Sequence, residues 1–102
     1  MTEPVAIAWY TRGAWLRAKR LSADPERLED TYEAWLRAAA AACADLAGLG
    51  LEVVRVQVDV DDLARWCRCR QLPVDEEARA RFTAEKARLL AGGAASAPSP
   101  VP

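Results

Sequence analysis

Only two stretches of this chain carry the signature of a β-strand, and that scarcity limits its fold more than any other feature. VAIAWY (Val5 to Tyr10) alternates Val5, Ile7 and Trp9 with Ala6, Ala8 and Tyr10, predicting a strand buried on one side and partly covered on the other. LEVVRVQVDV (Leu51 to Val60) sets Val54, Val56, Val58 and Val60 on one side, while the other mixes Leu51 and Val53 with Arg55, Gln57 and Asp59. That pattern predicts one face in the core. Two strands make a poor sheet, because each leaves an open edge of unpaired backbone groups. Dimerisation, placing four strands in a shared sheet, is the expected remedy.

The remainder reads as helix. Thr11 is placed to cap a helix running to about Leu21, with Trp15 and Leu16 as inward anchors. Asp24 followed by Pro25 marks a second start, and Asp30 with Glu33 offers a capping box where the first turn restarts. Leu28, Tyr32, Trp35, Leu36, Ala39, Cys43 and Leu46 then form one apolar face, closed by Gly48 and Gly50. Asp61 or Asp62 is the expected cap of a third helix, which Pro73 ends, and Asp75 caps a fourth. On this last helix Ala78, Phe82 and Leu89 are expected to face inward. Glu77, Arg81 and Glu85 stand four apart on its outer side and are expected to pair. Gly92 and Gly93 are expected to stop it, leaving a Pro, Ser and Ala tail. The prediction is one α+β domain over 1–91, in the order β-α-α-β-α-α, with a disordered tail over 92–102.

Composition narrows the chemistry. A chain of 102 residues supports one core, and its 52% hydrophobic and 28% charged residues are those of a soluble globular domain. Acidic and basic groups nearly cancel, 15 against 14, giving no electrostatic case for binding nucleic acid with the whole molecule. There is no histidine, so histidine-dependent triads are excluded and the commonest metal ligand is missing. The five glycines form no phosphate-binding loop. Nothing in the sequence implies a cofactor. No apolar run approaches the roughly 18 residues of a membrane span. The opening MTEPVAIAWYTRG lacks the pattern of a secretory leader, so a reducing cytoplasm is the expected compartment.

The three cysteines do not add up to a metal site. Structural zinc wants four thiolate or imidazole ligands, and Cys67 and Cys69 in RWCRCRQ (Arg65 to Gln71) project about 200° apart on a helix. Projection makes Cys67 a core residue and Cys69 a flank thiol, with Arg65, Arg68 and Arg70 near enough in sequence to raise a redox role for it. Cys43 falls on the apolar face of the long helix and reads as core. Arg70 projects between Trp66 and Leu63, where a bare charge is costly, and is expected to meet a carboxylate or an aromatic face. The acidic DVDD (Asp59 to Asp62) lies where a strand gives way to a helix, which suits capping better than a hard-metal loop.

Three functional readings stay open. Four tryptophans, Trp9, Trp15, Trp35 and Trp66, are many for this length; together with Arg70 they are the candidate residues of a groove or interface, the alternative being a core built of large residues. Residues 61–91 resemble a helix-turn-helix with Arg79, Arg81 and Arg88 on its second helix, although that helix opens with Asp75, Glu76 and Glu77, which would face phosphate. A small enzyme using Glu33 or Asp59 with an arginine or Tyr32 is the third. The run from Asp30 to Phe82 brings a tyrosine and tryptophan helix, a glycine, a valine strand, a W-C helix and an A-R-A-x-F helix in order, and it resembles a class of small bacterial proteins of unknown function. That resemblance implies a compact bacterial domain and carries no activity with it. The expectation is a non-catalytic interaction or regulatory protein, cytoplasmic and homodimeric, with another protein as its partner.

Overall fold

Parallel strands require a crossover, because the chain must return to the end from which it started. In the computed structural model, which describes residues 4–96, β1 (Val5–Trp9) and β2 (Val53–Gln57) pair in parallel, Val5 opposite Val53 and Trp9 opposite Gln57. The crossover consists of α1 (Arg12–Leu21), a single 3₁₀ turn (Pro25–Arg27) and α2 (Tyr32–Gly48). After β2 come α3 (Val60–Cys69) and α4 (Glu76–Ser96). The α+β class and the order of elements are those the sequence predicts. Among the described residues β1 and β2 are the whole sheet, and α2 and α4 each pack on both strands.

Short polar side chains decide where the helices begin. Thr11 Oγ1 accepts from Ala14 N–H (3.2 Å) at the head of α1, as expected. At α2 the cap is Thr31, whose Oγ1 accepts from Ala34 N–H (3.1 Å), and not Asp30. Glu33 is drawn instead into an exposed pair with Arg12. Asp59, rather than Asp61 or Asp62, caps α3, its Oδ1 accepting from Asp61 N–H (2.9 Å) and Asp62 N–H (3.2 Å). That cap makes Val60 the first helical residue and shortens the second strand from its expected Leu51–Val60 extent.

The core is filled by Trp15, Leu63, Val56 and Cys67, each under 2% exposed, with Tyr10, Trp35, Ala39, Val58 and Phe82 around them. β1 is covered more evenly than its alternation suggests: Val5 to Trp9 are all half-buried, and the fully buried position is Tyr10 just beyond it. Leu16 is 44% exposed because Trp15 and Ala18 fill the inward face of α1, and Leu16 lies about 100° round from Trp15. Leu89 is 69% exposed; among the described side chains of α4 the last buried ones are Phe82 and Thr83. The two glycines at 92 and 93 do not stop α4, which runs to Ser96; of the predicted tail, residues 97–102 lie outside the described residues.

One largely buried ion pair joins the segment after α1 to the first turns of α4. Arg79 Nη1 donates to Asp24 Oδ1 (2.8 Å) and to Ser22 Oγ (2.9 Å), while Asp24 Oδ2 accepts from Glu76 N–H (2.8 Å). Asp24 was expected to cap its own segment; it caps α4 instead, beside Asp75, which accepts from Ala78 N–H (2.9 Å). The Arg79 side chain is 7% exposed and that of Asp24 18%. The hydrogen bond from Arg79 holds the Asp24 carboxyl below the ordinary carboxylate range.

Two helices end in the same backbone motif with different residues. After α2, Leu51 N–H donates to Leu46 O and Gly50 N–H to Ala47 O, with Gly50 at φ 85°. After α3, Leu72 N–H donates to Cys67 O and Gln71 N–H to Arg68 O, with Gln71 at φ 56°. Both are Schellman closures, and the second places a side chain where glycine is favoured. The end of α3 is thus set at Cys69 by backbone geometry, ahead of Pro73.

Replacing Asp24 with alanine strands a buried guanidinium and should cost about 3 kcal/mol in denaturant unfolding at neutral pH. Because the carboxyl is held low in the folded chain, that advantage is present above about pH 4 and fades as acid reaches the folded value. A wild-type minus D24A difference that does not shrink in acid would contradict it. Gln71→Gly should raise stability by about 1 kcal/mol in the same assay, since it removes the cost of a left-handed side-chain position.

Candidate functional site

Trp66 stands on α3, half-buried, with its faces and edge engaged by three different chemistries. Phe82 of α4 meets it edge-on with ring centres 5.8 Å apart. The Arg70 guanidinium lies 4.2 Å from the ring centre and that of Arg81 5.6 Å. Glu85 Oε1 accepts from Trp66 Nε1 (3.3 Å) and from Arg70 Nη2 (3.3 Å). Arginine over tryptophan contributes about 0.5–1 kcal/mol at an exposed site, and the carboxylate fixes both groups at once.

Arg70 therefore meets both a carboxylate and an aromatic face, as expected, though from a different place. It is the residue that closes α3, with a side chain 40% exposed, and so lies at the surface rather than inside. Glu85 and Arg81 are diverted to this cluster, and the predicted run of pairs with Glu77 does not form among the described residues.

Beside the clamped tryptophan, α3 and α4 enclose an open groove of about 460 Å³. Its apolar surface comes from Trp66, Phe82, Leu89 and Leu90, and the two leucines are 69% and 57% exposed. Its rim carries both signs of charge: Asp62 and Glu85 against Arg65 and Lys86. Arg65 donates to Asp62 (2.9 Å) across one turn of α3.

The four tryptophans do not converge on one site. Trp15 and Trp35 belong to the core, at 1% and 8% exposure. Trp9 is half-buried, 5.3 Å from the Trp35 ring and covered by Arg55 at 4.1 Å. Only Trp66 and Arg70 of the predicted set are brought together at a groove. Glu85, Leu89 and Leu90 complete it and were not anticipated, because nothing local marks a glutamate whose partners lie 15 and 19 residues away.

Of the two carboxylates that the sequence offers for catalysis, Glu33 pairs with Arg12, which lies 4.8 Å from the Tyr32 ring centre, and Asp59 caps α3. Asp61 pairs with Arg17, whose hydrogen bond holds that carboxyl low; Arg12 does the same for Glu33. Asp59 lines a surface cleft with Thr11 and Arg17 that Glu33 does not share. Cys67 is buried and Cys69 exposed, so the pair points apart as projection requires, and Cys43 is buried on α2. Burial, reinforced by Asp75, pushes the Cys67 thiol up. Among the described residues no three His, Cys, Asp or Glu side chains gather so as to hold a metal ion, and no helix is long and apolar enough to cross a membrane.

Comparison with protein-family models, with curated proteins and with solved structures finds no match to this chain.

An alkylating reagent applied to the folded protein should modify Cys69 alone, with Cys43 and Cys67 reacting only on unfolding. Mass spectrometry that finds prompt modification at Cys67 would show that α3 does not bury this face.

Proposed function

We propose that the chain is a small non-catalytic interaction protein of a bacterial cytoplasm, acting as a homodimer. It holds another protein by seating an apolar segment of that partner between α3 and α4. The observation that carries this reading is the groove itself: Leu89 and Leu90 stand exposed beside a tryptophan already fixed in place by Arg70 and Glu85. Pre-organised aromatic and arginine side chains next to uncovered leucines are the composition of an interface centre, since ordering them costs nothing further on binding. The mixed-sign rim favours a partner segment with two or three large apolar side chains between charges of both signs.

Nucleic-acid binding through the same two helices has less in its favour. Arg79, one of the three arginines on which it depends, is buried against Asp24, and Arg81 lies over Trp66. The first turn of α4 presents Glu76 and Glu77, and the groove rim adds Asp62 and Glu85. Carboxylates in these places repel phosphate.

A photo-crosslinking amino acid at position 90 should yield one discrete adduct in the source cell. Trp66→Ala should reduce that adduct about tenfold, a loss of roughly 1.4 kcal/mol. The same probe at position 49, where Leu49 is 76% exposed and distant in sequence, should yield none. Equal adducts from both positions, or none from position 90, would defeat the groove as the working surface.

A further inference from the structure

In a parallel pair each strand turns alternate residues toward its neighbour and the others away. Val5 N–H donates to Glu52 O and Trp9 O accepts from Val58 N–H, so Val5, Ile7 and Trp9 are the residues of β1 that bond to β2. The N–H and C=O groups of Ala6 and Ala8 therefore point to the free edge of β1. Among the described residues no other strand meets them. The edge opens onto a cleft of about 310 Å³ whose rim includes Arg27, Glu29 and Glu76.

Natural proteins protect such edges with charges, prolines or bulges. The strand VAIAW has none of these within it. The free edge of β2 is different: Val53, Arg55 and Gln57 turn outward there, and Arg55 and Gln57 are exposed. Two copies joined antiparallel through β2 about a two-fold axis would set Arg55 beside its own counterpart, and like charges across a strand pair repel. The β1 strand is uncharged, and on its rim Arg27 is already paired with Glu76 of the same copy (3.1 Å), so a two-fold contact sets no like charges opposite each other along the strand.

We propose that two copies of this chain join through β1, antiparallel about a two-fold axis at Ile7, to make a four-stranded sheet in the order β2-β1-β1-β2. Ala6 of each copy pairs with Ala8 of the other, so every outward N–H and C=O of these residues gains a partner. Their methyl side chains leave the strands free to approach to the usual spacing of about 4.8 Å. The occupant is a second copy because the seam is self-complementary in hydrogen bonding and neutral in charge, as an isologous contact requires. The proposal deepens the homodimeric part of the reading above and is independent of the groove between α3 and α4.

Sedimentation and residue-resolved amide exchange across a concentration series test it. The wild-type mass is expected to approach twice 11.2 kDa at micromolar to submillimolar concentration. Exchange at Ala6 and Ala8 is expected to slow with it, while Arg55 and Gln57 keep their rates. Ala6→Pro removes one outward donor and leaves the ladder to β2 intact, and it should weaken the dimer about tenfold or more; Gln57→Pro, on the other edge, should not. Should Ala6→Pro fail to fold by circular dichroism, the wild-type exchange data decide alone. A wild type that stays at the mass of one chain overturns the proposal. A dimer in which Ala6 and Ala8 exchange as fast as in dilute protein also overturns it. Neither result bears on crosslinking at position 90, so failure of the seam and failure of the groove are distinguishable.

Discussion

The contact between Asp24 and Arg79 holds the two halves of this protein in register. It joins residues 55 apart in sequence, and every hydrogen bond around it serves the same junction: Ser22 accepts from Arg79 while donating to Ala18 O, and Ala23 N–H donates to Val74 O (2.7 Å). Asp24 also takes the first N–H of α4, where a carboxylate is favoured by the helix dipole. The start of α4 is thereby pinned to the segment that follows α1. From that anchor α4 runs along the sheet and reaches α3, and the groove lies where the two helices pass. A buried pair is weak evidence for stability in itself, but losing one partner is costly, so this junction acts mainly to specify where α4 sits.

The groove and the sheet edge depend on that junction in different ways. Arg79, Thr83 and Ala80 of α4 border the cleft beside β1, while Phe82, Leu89 and Leu90 of the same helix border the groove with α3. One helix therefore shapes both candidate surfaces, with Ala78, Arg79, Phe82 and Thr83 buried and Leu89 and Leu90 exposed. Among the described side chains the inward stripe of α4 reaches Thr83, and its leucines at 89 and 90 belong to the surface.

Around Trp66 a few side chains exert mutual constraint at little cost. Glu85 accepts from both the indole and Arg70, and Arg70 in turn covers the indole, so no member of the set is free to reorient without unpairing another. Exposed ion pairs by themselves contribute little, and the pair between Arg70 and Glu85 is 40% exposed on both sides. Its consequence is geometric: the tryptophan is held in one orientation at the mouth of an apolar groove.

Much of this was legible in the residues. Alternation found both strands, the three-and-four spacing found the helices, projection separated Cys67 from Cys69, and the placing of Arg70 next to Trp66 found it a carboxylate and a ring, although at the surface and not inside. These are local properties, set by backbone period and by the cost of burying a charge. Three of the misreadings share one cause. Asp24, Arg79 and Glu85 each carry a side chain whose best local use is plausible, a cap or a solvent charge, and each is claimed by an element far along the chain. The sequence by itself determined the α+β class, the order of elements and which helix faces are apolar, because those follow from periods of two and 3.6 residues. Only the tertiary structure decided the parallel pairing, the burial of Arg79 and the exposure of Leu89 and Leu90, because each depends on what a distant segment brings to the same place.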